Sequence, residues 1–140
     1  MLIEITASQI NMHQIEAYFS KLSQEFLTDL KSQVEIEKYL IKIEKLSNHI
    51  VAFEEIKIVG TLFYYSNDQT CFITHISVLP EYERLGIGSR IFNKLLETAK
   101  NENIELEVHP NNQKAIKFYQ KLGFLFTSSE NSNLRMRKHA

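Results

Sequence analysis

Two glycines two positions apart, Gly86 and Gly88, lie in the run Val78-Leu79-Pro80-Glu81-Tyr82-Glu83-Arg84-Leu85-Gly86-Ile87-Gly88-Ser89. The run leaves a β-rich segment, Cys71 to Val78, and enters a long amphipathic helix. Anion binding is the chemistry of such a junction. The first amides of a helix lack internal partners, and that end of the helix dipole is positive. Glycine lets a phosphate approach the main chain. The run therefore predicts a site for a phosphorylated small molecule. It fits neither of two common phosphate loops. A P-loop needs Lys and then Ser or Thr after its second glycine, and Gly88 is followed by Ser89-Arg90. A dinucleotide fingerprint needs a third glycine where this chain has Ile91.

A second run also has the spacing for chemistry. Asn112-Gln113-Lys114-Ala115-Ile116-Lys117-Phe118-Tyr119-Gln120-Lys121-Leu122-Gly123-Phe124 follows a β-rich stretch. Helical spacing sets Asn112, Ile116, Tyr119 and Gly123 along one side. Ala115, Phe118 and Leu122 form the adjoining core side. A tyrosine at such a boundary buries its ring and keeps its hydroxyl at the rim. Spacing alone leaves Tyr119 as either a core residue or a functional one.

These runs need elements to hold them. Leu2 to Thr6 alternates as a strand. Residues 12–30 carry an apolar stripe of Ile15, Tyr18, Phe19, Leu22, Phe26 and Leu27 and read as one helix, and 34–46 as a second. Ile50–Phe53, Ile56–Tyr65 and Thr70–Val78 read as strands, with a turn cluster at Ser66–Gln69. Residues 87–100 are helical, Ile104–Val108 is a strand, and the helix Asn112–Leu122 is closed by Gly123. Phe124–Thr127 and Leu134–Lys138 close the chain as strands. The order β-αα-βββ-α-β-α-ββ predicts an α/β fold with a largely antiparallel front half. A right-handed parallel crossover runs through 87–100. No linker or repeat interrupts the chain, so residues 1–140 are expected to form one domain.

Composition narrows the function classes. The formal net charge of −1 argues against a nucleic-acid partner, which needs clustered positive charge. The lone Cys71 allows no internal disulfide. The first residues lack the basic region and long apolar run of a signal peptide. No apolar stretch is long enough to span a bilayer, so no membrane partner and a cytoplasmic location are expected. The histidines show no metal-ligand spacing, and no metal is expected.

Together the two runs resemble the GNAT superfamily of N-acetyltransferases. Val78, Pro80, Tyr82, Gly86, Ile87 and Gly88 match its V-x-P-x-Y-(R/Q)-x-x-G-(I/L)-(G/A) segment. Asn112, Ala115, Tyr119, Gly123 and Phe124 match its later N-x-x-A-x-x-x-Y-x-x-x-G-F segment. The element order agrees over nearly the whole chain. The resemblance implies a GNAT-like mixed sheet of about seven strands with about four helices.

It also implies roles for residues. Backbone amides of Glu83, Arg84, Leu85, Gly86, Ile87, Gly88 and Ser89 would cradle the pyrophosphate of acetyl-CoA, the co-substrate. The strand ending at Val78 would splay from 104–108. Main-chain groups near Ile76 and Val78 would then bond the pantetheine amides. Asn112 would hold the coenzyme arm, and Tyr119 would protonate the leaving thiolate. A phenol of pKa ~10 against a thiol of ~8.5 makes full ionisation unnecessary for this. The chain departs from the family at Glu83, where Arg or Gln is usual. A carboxylate there is unfavourable unless it points away, and Arg84 or Arg90 could supply the missing charge.

The acceptor implied is a small-molecule or peptide amine. A lysine-like amine has a pKa of ~10.4, so a base must take its proton. Candidates are His75, Thr74 through a water, Glu81, Glu107 and His109, although His75 reads first as a packed strand histidine and Glu107 and His109 as a polar rim. His75 and Thr74 face opposite sides of their strand unless a bulge intervenes. Acceptor choice is expected from the N-terminal helices, the loop between them and the 128–133 loop. The charges of Gln24–Lys45, with Glu25 and Asp29 among lysines, alternate and set no preference for a basic substrate, and Tyr18, Phe19, Phe26 and Tyr39 read as core before pocket lining. Leu134–Lys138 reads as an edge strand through which a homodimer could form. The competing reading is a non-catalytic acyl-CoA sensor or scaffold.

Overall fold

The computed structural model describes the backbone of residues 2–100, 103–130 and 133–139. Strand β1 (Ile3–Thr6) precedes three helices, α1 (Met12–Phe19), α2 (Gln24–Gln33) and α3 (Ile36–Leu46). An antiparallel meander follows: β2 (Asn48–Glu54), β3 (Lys57–Ser66) and β4 (Thr70–Val78). A 3-10 turn, Pro80–Tyr82, leads into α4 (Ile87–Thr98). The chain closes with β5 (Asn103–Val108), α5 (Gln113–Lys121), β6 (Leu125–Glu130) and β7 (Asn133–His139). One seven-stranded sheet has the order β1-β2-β3-β4-β5-β7-β6. The β4–β5 pair is parallel and the other pairs are antiparallel. This is the mixed sheet with one crossover that the sequence implies.

Two details differ from the sequence reading. Residues 12–30 form two helices. After Phe19 the amides of Lys21 and Leu22 bond three residues back, to Tyr18 and Phe19, and that tightened turn ends α1. The other difference is the strand expected at an edge. β7 is interior, because the β6–β7 hairpin turns it in beside β5, and β1 and β6 are the edges. Arg135 and Arg137 are therefore cross-strand partners of Glu107 and Glu105, and they guard no edge.

The core lies on both faces of the sheet. On one face Ile15, Tyr18 and Phe19 of α1 and Leu40 and Ile43 of α3 are buried. On the other, α4 buries Ile87, Ile91, Phe92 and Leu95. Gly60 on β3 permits that contact. A Cβ there would stand 2.8 Å from Ile91 Cδ1 and 3.3 Å from the Ser77 carbonyl. Among the described residues no helix is long and apolar enough to cross a membrane.

Candidate active site

β4 and β5 stay paired only from Thr70↔Asn103 to Ile73↔Leu106. Beyond Ile73, β4 runs on to Val78 with a partner, β3, on one side alone. The two central strands thus part and leave a gap lined by main-chain groups. The expected pantetheine contacts, Ile76 and Val78, are half-buried along it. A bulge marks the parting. Phe63 pairs with His75 and Tyr64 with Ile73, so Thr74 is the extra residue. Its carbonyl accepts from the Tyr39 hydroxyl at 3.0 Å, and its Oγ1 lies 3.2 Å from the same oxygen.

The gap leads to the glycine loop. Tyr82 fixes the approach. Its ring is buried, its hydroxyl donates to Glu54 Oε1, and Lys57 Nζ lies 5.1 Å over the ring. Arg84 and Gly86 both take left-handed backbone, with φ of 66° and 79°. Left-handed residues of this kind turn neighbouring amides to one side as an anion nest. The Arg90 amide bonds back to the Gly86 carbonyl as the helix starts, so the amides of Ile87, Gly88 and Ser89 point out of the helix end. At Gly88 a Cβ would stand 3.1 Å from Phe118 Cζ, so glycine lets α5 close against α4. Glu83 is paired, its Oε2 lying 2.6 Å from Lys114 Nζ on the first turn of α5. Arg90 does not turn to the loop: its Nη2 donates to the Ile3 carbonyl of β1.

Tyr119 lies on α5, edge-on to Phe124 and beside Phe118. Burial holds its hydroxyl well above the usual phenol value, and the nearby Tyr39 hydroxyl adds to this. Tyr39 itself is pushed up to about 12 by burial. Asn112 caps α5, its Oδ1 accepting from the Ala115 amide. Its amide donors are what remains for a ligand.

The base candidates fall in unlike places. His75 is 6% exposed and sits between Phe19 and Phe63, with centroids at 4.9 and 5.6 Å. Its Nε2 meets Ser77 Oγ at 2.7 Å, and that hydroxyl meets Tyr18 OH at 2.8 Å. Burial drives the His75 pKa down to about 3. A ring so placed belongs to the core and is a poor acceptor for an amine proton. His109 Nδ1 accepts from the Asn111 amide. Glu81 lies beside Lys57, away from the gap. Glu107 is exposed on β5 just past the last β4–β5 pair, held by Arg135 Nη2 at 2.8 Å. Arg135 also reaches Glu105 at 2.9 Å and lies 5.8 Å over Phe72.

β4 carries Ile76 and Val78 toward the 83–89 loop, and α5, which carries Tyr119 and is capped by Asn112, meets that loop through Phe118 at Gly88 and Lys114 at Glu83, whereas His75 packs between Phe19 and Phe63. Sequence reasoning missed the work of Tyr39 and of Lys114. The partners that reveal it, Thr74 for Tyr39 and Glu83 for Lys114, are far off in the chain. The side chains of Glu25, Phe26 and Asp29, and residues 131 and 132 of the 128–133 loop, lie outside the described residues. Among the described residues no group of three or more His, Cys, Asp or Glu is gathered as a metal ion would need.

Comparison with known proteins agrees with this geometry. Residues 12–124 match the model of the acetyltransferase (GNAT) family. The chain belongs to that family. It is 39% identical over 62 residues to N-alpha-acetyltransferase 50 of Danio rerio, spanning 41% of this chain and 37% of that protein. The chain therefore covers little more than a third of that relative's length. It is 28% identical over 131 residues to the uncharacterized protein YdhI of Bacillus subtilis, spanning 91% and 77%. Its fold is similar to that of Arabidopsis thaliana Naa50, solved with the bisubstrate analogue CoA-Ac-MVNAL (TM-score 0.75, 22% identity, all of both chains). It is equally similar to the PaiA N-acetyltransferase of Thermoplasma acidophilum, solved with coenzyme A (TM-score 0.75, 19% identity, all of both chains).

Proposed function

We propose that this protein transfers an acetyl group from acetyl-CoA to a primary amine by direct attack. The observation that carries the proposal is the stretch of β4 that pairs with β3 on one side alone and leads into an anion nest, with half-buried Tyr119 on the helix packed against that loop. The nest amides hold the diphosphate, and the open edge of β4 bonds the pantetheine amides as an added strand would. The amine nitrogen bonds to the thioester carbon, the carbon–sulfur bond breaks, and Tyr119 gives its proton to the sulfur. In this reading Glu107, rather than the buried His75, takes the amine proton, directly or through a water. Cys71 plays no part, since it is fully buried and its thiol is pushed up to about 12.

The acceptor we favour is a peptide amino terminus. The N-alpha-acetyltransferase relative supports this, as does the fold shared with an enzyme solved on a peptide bisubstrate analogue. The proposal keeps the cytoplasmic setting read from the sequence. The test is incubation with acetyl-CoA and peptides that bear a free or blocked amino terminus and one internal lysine, read by mass spectrometry. Acetylation of the free terminus alone is expected; modification of the lysine would sink the peptide-terminus assignment. The ion pairs of Glu105 and Glu107 favour a second reading, a coenzyme-binding module without turnover. Saturable binding with no product from any amine would establish it.

A further inference from the structure

The one departure from the family's loop pattern, Glu83, has a partner that the pattern does not foresee. Glu83 begins the nest, and Lys114 stands on the first turn of α5, two residues after its cap. Their 2.6 Å contact joins residues 31 positions apart and spans the two elements that flank the gap. Glu83 is the better covered of the two, with 38% of its side chain exposed against 78% for Lys114. An unpaired carboxylate at the mouth of a phosphate nest would repel the ligand, an effect that water at this exposed position weakens without removing. Paired, the two side chains carry no net charge, and Glu83 is drawn toward α5 and off the nest.

We propose that Lys114 determines coenzyme affinity through Glu83: it is a clasp that holds this carboxylate away from the coenzyme phosphates. The inference rests on the coenzyme reading above. Lys114 in this account makes no phosphate contact of its own. Its whole effect passes through Glu83, which sets it apart from a lysine that simply attracts phosphate.

The experiment is calorimetric titration of coenzyme A into the full chain, its Lys114→Met and Glu83→Gln variants, and the double variant. Lys114→Met should weaken binding about five- to tenfold, the size of one uncompensated charge a few ångströms from a phosphate when water screens it almost as bulk water does. In the Glu83→Gln background the same change should alter the dissociation constant less than about twofold. Lys114→Arg should keep the wild-type value, because the pair re-forms. An equal loss in both backgrounds would overturn the clasp, since Lys114 would then act on the ligand directly. No loss from Lys114→Met in the native background would overturn it as well. Absence of saturable heat with both the native chain and Glu83→Gln would instead remove the coenzyme reading itself. Thermal unfolding of each variant without ligand guards against misfolding. Surface ion pairs contribute little stability, so all four are expected to melt within a few degrees of one another.

Discussion

Tyr119 and His75 are both ionisable rings placed where water is scarce, and burial moves them in opposite senses. It disfavours the charged form of each, so the phenol is pushed up and the imidazole down. A phenol is protonated at neutral pH even at its ordinary value, so burial leaves Tyr119 protonated but a weaker acid, whereas the histidine loses its basicity. Tyr119→Phe should lower kcat about a hundredfold and leave the KM for acetyl-CoA within about twofold, measured by steady-state kinetics. An unchanged kcat would remove Tyr119 as the acid. The His75 shift has a stability consequence. Its folded pKa, about 3, lies below the unfolded 6.5. The unfolded chain therefore binds the extra proton between those values, and stability falls as pH drops through that window. Urea titrations at pH 7 and pH 5 should differ by about 2 kcal/mol from this ring alone. His75→Phe, which keeps a ring between Phe19 and Phe63, should flatten that slope. The loop glycines and the capping Asn112 were legible in the sequence because their work is local. A packed ring is what the strand position of His75 suggests; that Phe19 covers it was not legible, because Phe19 arrives from a distant helix.

Among the elements, α4 and its entry loop are held by what glycine permits at two positions. Gly86 has open space around it, so a side chain there meets no clash but must adopt left-handed backbone. Gly86→Ala should cost about 1–2 kcal/mol of stability from that strain. It should also weaken coenzyme A binding as the nest loses its shape. Gly60→Ala acts differently, by forcing Ile91 off the sheet, and should cost about 1–3 kcal/mol in urea unfolding with no direct effect on the loop. Identical losses of ligand binding in the two variants would argue against the nest. Every strand and the crossover could be read from alternation and turn residues. The bulge at Thr74 could not, since nothing local sets it. It follows from two registers meeting on β4 and from a tyrosine of α3 reaching its carbonyl. The interior position of β7 escaped for a similar reason, because hairpin order is decided by which neighbour the strand finds.

For the whole molecule, the sheet is two groups of strands, β1–β4 and β5–β7–β6, joined by one short parallel pairing. A ligand that binds the folded gap and not the unfolded chain raises stability by mass action. Saturating coenzyme A should therefore raise Tm by several degrees, about 4 kcal/mol at a thousandfold excess over Kd. The rise should be smaller in Lys114→Met at the same ligand concentration.

On the proposed function, that short pairing would make the substrate a building material. β4 is open on one side beyond Ile73, so a coenzyme arm bound there would complete a sheet as well as present a thioester. That open side would read backbone before it reads chemistry. An extended peptide with correctly spaced amides would lie there as readily as a pantetheine arm, and inhibitors of this protein could be drawn as strands instead of as nucleotides.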